Sequence, residues 1–301
     1  MKGDFFLFVL GICFFTIFNC KYISMKILSF VLILVSLISN AQTHRFFYEV
    51  QYKKDSLDAL LTKEFYHLDI TKESLFYGRD YYIMDSIVNN NIELNSENAP
   101  SFTNITFHDK GSSEYTECIL DEYQMYKMPS KDVQTWKLHD EKKKVGQYTL
   151  QKATTTWGGR KWIAWFTPEI PFQEGPYKFH GLPGLIMEIS DDKANYSFKV
   201  IKSQNMEMTQ PSFRYFGIFY EKAVPLSWEK FRKLKLSNYV DPLSFMKNGG
   251  LGIEEGDEVL LNDGTLVTSK NQNEVRADQQ RKLRKYNNPI DLTKAIPYPS
   301  K

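Results

Sequence analysis

The chain has 301 residues, 15% of them aromatic, and carries 38 Lys+Arg against 36 Asp+Glu, a formal charge of +2. So even a balance excludes the basic excess that a nucleic-acid-binding face needs. Three cysteines (Cys13, Cys20, Cys118) are too few for a disulfide scaffold, so the fold must rest on a hydrophobic core.

Two apolar stretches open the chain. The first, residues 1–24, contains Phe5 to Leu10 and Phe14-Phe15. The second begins at Met25 and has each part of a secretory signal: Lys26 as the basic start, Ile27 to Ile38 as the apolar centre, and Ser39-Asn40-Ala41 as a small-x-small cleavage site. The expectation is a translation start at Met25, an upstream extension over 1–24, a signal peptide over 25–41 and a mature chain over 42–301. The competing reading is a membrane anchor, but each stretch is near or below the roughly 20 apolar residues of a span. Cleavage near Ala41 removes Lys2, Lys21, Lys26 and Asp4. That takes three from 38 and one from 36, leaving 35 of each sign. Cys118 is then alone and forms no internal disulfide.

Strand signals dominate the next two-thirds. Phe46, Tyr48, Val50 and Tyr52 alternate with polar or outward residues, and Tyr66, Leu68 and Ile70 do the same against His67 and Asp69. Further strands are expected at 74–77, 81–88, 114–120, 135–138 and 147–156. Asn89-Asn90-Asn91 and Asn95 to Asn98 read as loops. Gly158-Gly159 separates two strand-like runs and predicts a tight hairpin in which both glycines need φ > 0. Pairing outward from it sets Thr155 opposite Trp162 and Ala153 opposite Ala164. It also puts Trp162 and Phe166 on one face and Trp165 on the other. A loop from Pro168 follows, ending in Gly181-Leu182-Pro183-Gly184, whose Gly-Pro-Gly chemistry shapes a backbone turn. Leu185, Met187 and Ile189 then pair through an Asp191-Asp192-Lys193 turn with Tyr196, Phe198 and Val200.

The last third is helical. Ser227 precedes Trp228, Phe231 and Leu234 at helical spacing. Residues 271–286 form a second helix, polar nearly all round, expected to lie across the sheet or stay partly mobile. The fold class is therefore mainly β (α+β): one domain with a curved antiparallel sheet or partly open barrel built from hairpins, followed by C-terminal helices.

Chemistry is hard to find. There is no Gly-x-Ser-x-Gly elbow, His-Glu-x-x-His helix, phosphate loop or Cys-x-x-Cys pair, and neither a metal nor a cofactor is implied. Asp191 and Asp192 read as turn residues that bind their own backbone. The candidates cluster around the loop. If it folds back over the glycine hairpin, Arg160, Glu169, Glu174 and His180 line one pocket with Trp162 and Trp165. Alternatively Arg160 pairs with a carboxylate to fasten the loop, and the tryptophans are core.

The blocks Tyr48-x-Val50-x-Tyr52, Gln151 to Thr154, Ala164-Trp165-Phe166-Thr167-Pro168-Glu169-Ile170-Pro171, Gly175-Pro176, Gly181 to Ile186 and Asn287-Asn288-Pro289-Ile290 resemble the GLPGLI family of exported Bacteroidetes proteins. The resemblance implies export to the periplasm or cell surface, beside outer-membrane transport or envelope proteins as partners, and supplies no catalytic residue. It departs where many members carry cysteine and this chain has Leu150. Asp55-Ser56-Leu57 and Asp85-Ser86-Ile87 look like the acceptor that such bacteria O-glycosylate. Three functional readings stay open: a non-enzymatic binding or accessory protein with an aromatic groove for a lipid, peptide or partner segment; an envelope peptide or glycan hydrolase using Glu169 or Glu174; and a structural part of an outer-membrane complex.

Overall fold

The computed structural model describes residues 43–79, 105–121, 124–206, 220–244, 246, 256–261 and 263–300. The two N-terminal apolar stretches, the strand expected at 81–88, the asparagine-rich loops and Ser86 lie outside the described residues.

In chain order the elements are β1 (Thr43–Tyr52), β2 (Thr62–Ile70), β3 (Glu73–Gly78), β4 (Ile105–Asp109), β5 (Glu114–Asp121), β6 (Gln124–Lys131), β7 (Lys137–Val145), β8 (Tyr148–Trp157), β9 (Arg160–Thr167), β10 (Leu185–Asp191), β11 (Tyr196–Met206) and β12 (Val224–Pro225). After them come α1 (Trp228–Val240), the small pair β13 (Glu258–Leu260) and β14 (Leu266–Thr268), and α2 (Gln272–Lys285). One 12-stranded sheet runs β12-β6-β5-β4-β3-β2-β1-β11-β10-β9-β8-β7. Every neighbouring pair is antiparallel except the two-residue contact of β12 with β6. Fold class and mainly β content are as the sequence implies.

The sheet is curved and open, and its hollow is filled by its own chain. Residues 168–184, between β9 and β10, cross the concave side and touch both flanks. Phe179 packs edge-on against Trp162 at 4.6 Å and Trp157 at 5.3 Å. On the other flank, the Lys178 ammonium donates to Ser130 on β6 at 2.9 Å, and Thr106 on β4 donates to the Tyr177 carbonyl at 3.2 Å. β6 and β7 follow one another in the chain yet lie at opposite margins. Their connection is tied to the same plug, since Trp136 Nε1 donates to the His180 carbonyl at 2.7 Å. The plug thus replaces the strand pairing that would close a barrel.

Alternation explains the core. Phe46, Tyr48 and Val50 face inward with Leu68, Phe76, Ala153, Trp162, Ala164, Phe166 and Phe198, and the plug adds Phe179 and Leu182. Full burial of such side chains contributes about 1.5–3 kcal/mol each. The β8–β9 hairpin has the expected register, Thr155 opposite Trp162 and Ala153 opposite Ala164. Its glycines adopt φ of 60° and 74°, as a primed turn requires.

Two features depart from the sequence reading. β7 extends to Val145, well beyond the expected 135–138, because an edge strand exposed on both faces carries no apolar alternation to mark it. Helix α2 packs away from the sheet: Val275 joins Leu243, Met246 and Val267 in a separate cluster, and Gln280 donates to the Tyr239 carbonyl at 2.9 Å. Helix α1 starts as expected, with Ser227 accepting from the Lys230 amide. Among the described residues no helix is long and apolar enough to cross a membrane. Residues Thr43–Lys301 form one compact unit.

Candidate functional site

Period-two alternation on neighbouring strands sets one row of rings on the concave face. In the β1–β11 register, Tyr52 sits opposite Tyr196 and Val50 opposite Phe198. Tyr52 and Tyr196 stack at 5.7 Å and 10°. On β2 and β3, Tyr66 and Phe76 stack at 4.8 Å and 9°. These residues floor a cavity of about 350 Å³. Tyr177 of the plug, Glu117 and Ile119 of β5, and Asp291 and Lys294 of the C-terminal segment contribute to its lining, with Lys294 reaching Glu117.

The polar wall is built around one carboxylate. Glu117 is 3% exposed and accepts from Lys178 at 3.0 Å, Lys294 at 2.9 Å and the Tyr177 hydroxyl at 3.0 Å. Burial opposes its ionisation, but the two ammonium groups outweigh that and hold the carboxyl at about 2. Lys294 is likewise disfavoured as a cation by burial, and Glu117 more than compensates, raising it above the usual lysine range. Lys178 is wholly buried and also pairs with Asp132 at 3.2 Å. Tyr177 has φ of 57°, a left-handed conformation costly for a bulky residue. That strain aims its ring into the cavity while its hydroxyl reaches Glu117. A carboxylate so paired is a fixed anion and a poor proton acceptor.

The far side of the cavity is held by Arg160. Its guanidinium donates to Asn288 Oδ1 at 2.6 Å, the Pro289 carbonyl at 2.8 Å, the Ile290 carbonyl at 3.0 Å and Asp191 at 3.2 Å. It also stacks over Tyr196 at 5.0 Å. Asn288 in turn donates to the Lys53 carbonyl at 2.8 Å. The 288–294 strap lies directly on the β8–β9 turn. A Cβ on Gly158 would sit 3.0 Å from the Asp291 backbone, and one on Gly159 3.1 Å from Leu292. Asp191 serves its own turn as expected, accepting from the Asn195 and Tyr196 amides at 2.7 Å each, and serves Arg160 as well.

The residues named from sequence therefore separate, apart from Glu174 and His180, which meet around His108 and Tyr115, and none of the six lines the cavity. Arg160 fastens the strap. Trp162 is fully buried core. Trp165, on the opposite face, lies under the Lys143 ammonium at 4.4 Å. Glu169 is exposed and accepts from the Thr149 amide at 2.8 Å. Glu174 is buried and meets His108 Nε2 at 2.9 Å. The other nitrogen of His108 faces the Ser112 carbonyl at 2.7 Å, so both ring nitrogens have a partner. His180 sits 3.0 Å from the Tyr115 hydroxyl, with burial holding it below the usual histidine range. In the motif, Leu182 is core and Pro183 is exposed. A Cβ on Gly184, at φ of 150°, would lie 2.1 Å from the Thr167 carbonyl oxygen. Gly181 has φ of 86° and open space around it.

Sequence reasoning missed Glu117, Tyr177 and Lys294. Tyr52, Tyr66 and Tyr196 were visible as inward positions, without sign that they would leave space between them. Among the described residues no group of His, Cys, Asp and Glu is arranged to hold a metal ion. Cys118 is buried, and burial pushes its thiol up to about 12, which leaves it unreactive near neutrality.

Residues 159–188, from the glycine turn through the plug into β10, match a family described as "Protein of unknown function (Porph_ging)". No curated protein matches the chain. Among solved structures, PNGF-II in two crystal forms (C2 and P21) is similar over 64% of this chain, with a TM-score of 0.46 and 13% and 12% identity. The chain spans about a third of that protein's length, 32% and 33% in the two forms.

Proposed function

We propose that this is an exported, non-enzymatic binding protein that takes an apolar or ring-bearing part of a ligand into the Tyr52–Tyr66–Tyr196 cavity. The aromatic-lined cavity of about 350 Å³ carries the reading. Its volume lies at the small end of ligand pockets, about 300–1,000 Å³, with many apolar walls and a few convergent polar groups. The lipid, peptide or partner segment expected from sequence would insert one such group and meet Glu117, Asp291 and Lys294 with its polar part. Export rests on the signal-like segment over 25–41, and the envelope setting on the GLPGLI resemblance.

The hydrolase alternative has less support. Glu169 and Glu174 are engaged with different partners, Thr149 and His108, and neither opens onto the cavity. Native mass spectrometry of the protein purified from its own type of host tests the proposal. A discrete adduct on the wild type that disappears in Ile119→Trp, which fills the cavity, is the expected result. An adduct retained in that variant, or none on the wild type, would overturn it.

A further inference from the structure

The turn between β1 and β2 exposes three leucines. Leu57 is 92% exposed, Leu60 73% and Leu61 46%. Nothing in the core accounts for them. The loop around them is nevertheless ordered by its own hydrogen bonds. Asp55 accepts from the Leu57 amide at 2.9 Å, Asp58 from the Leu60 amide at 3.3 Å, and the Asp58 amide donates to the Asp55 carbonyl at 3.1 Å. Both acidic side chains are thereby turned to the backbone, satisfying amides that an apolar medium would leave costly.

We infer that this loop seats the protein on a phospholipid bilayer, with Leu57, Leu60 and Leu61 entering the acyl boundary. Charge placement suits a bilayer surface, since lysines flank the leucines while Asp55, Asp58 and Glu64 leave residues 53–64 formally neutral. Lys53 and Lys54 precede the loop, and Lys63, paired with Glu49 at 2.6 Å, follows it. Lys285 reaches in to Asp58 at 3.6 Å. Leucines between flanking lysines match the depth order of a bilayer interface. Size also favours it. A specific protein interface takes about 20–30 residues a side, whereas this is a short protruding turn with no groove. The base of the loop is Tyr52, a floor residue of the aromatic cavity, so docking would hold that cavity close to the lipid surface. The inference stands whether or not the cavity is filled.

The test is co-sedimentation of residues 43–301 with phosphatidylcholine vesicles, with and without phosphatidylglycerol. This unit holds its own core, and it omits the apolar stretches before Gln42, which would partition by themselves. A cooperative thermal melt is required of each sample first. The wild type is expected to sediment with both vesicles, since residues 53–64 are formally neutral. Leu57→Asp/Leu60→Asp, with an unchanged melt because both sites are exposed, is expected to partition about tenfold or more weakly. Absence of wild-type sedimentation with either vesicle, or equal sedimentation of the variant, overturns the inference. So would concentration-dependent dimerisation that the same substitutions abolish, which would assign the leucines to a second copy.

Discussion

Replacing Arg160 with methionine keeps much of the side-chain length but removes every donor from a site that is 5% exposed. Four acceptors lose their Arg160 donor: Asp191 Oδ2, which keeps Asn195 Nδ2 at 3.1 Å, Asn288 Oδ1 and the carbonyls of Pro289 and Ile290. The two carbonyls and Asn288 belong to a strap that can lift and meet water, so their loss is modest. Asp191 sits in the β10–β11 turn, 4% exposed, and would keep a charge with no cation. Breaking a buried ion pair on one side costs about 3–5 kcal/mol. The strap's freedom places this case near the lower end, about 3 kcal/mol. At about 2–4 °C per kcal/mol for a domain of this size, the melting temperature falls by about 6–12 °C. Urea unfolding followed by tryptophan fluorescence reads it directly, with a lower midpoint and an unchanged slope. Arg160→Lys should recover little, since an ammonium lacks the planar fork that serves several acceptors at once. Arg160→Met/Asp191→Asn should cost less than the two single changes together, because no charge is then stranded. A single Arg160→Met variant within about 0.5 kcal/mol of wild type would refute the latch.

Two further outcomes follow from the geometry. Gly184→Ala puts a methyl 2.1 Å from the Thr167 carbonyl oxygen, so plug and strand must part. It should destabilise by more than about 3 kcal/mol, whereas Gly181→Ala, with open space, should cost only the left-handed strain of about 1–2 kcal/mol; equal costs in denaturant melts would contradict the close approach. Glu117 has a folded-state carboxyl depressed to about 2. Its contribution is complete above the ordinary glutamate range near 4.3, and it is lost as pH falls through that range to about 2. Glu117→Gln should therefore lower stability at neutral pH and flatten the acid limb in that window, and an unchanged acid limb would argue against the Lys178–Glu117–Lys294 cluster.

Much of the local architecture was legible because it depends on neighbours in sequence. Gly158-Gly159 admits one tight turn, and period-two patterning on either side then sets Thr155 against Trp162 and separates Trp162 from Trp165. Ser227 announced helix α1, and the carboxylate of Asp191 served its own turn. Strands β4 and β6 were not legible. β4 is five residues long, and β6 carries Pro129, which is tolerated because β12 pairs only with Tyr126 and Lys127. β7 was legible only at its start, because a solvated edge has no face to hide.

The plug and the cavity belong to the tertiary structure alone. Arg160 and Asn288 stand 128 residues apart, and Lys294 reaches Glu117 across 177. No periodicity relates such positions; they meet because the open sheet curves around its own loop and the C-terminal strap closes over one end. The sequence determined the strands that have one apolar face, the turn chemistry and which of their faces are apolar, since each follows from backbone sterics and spacing. Which buried charges pair, where Tyr177 is strained and where a space is left unfilled were decided only when distant segments packed together.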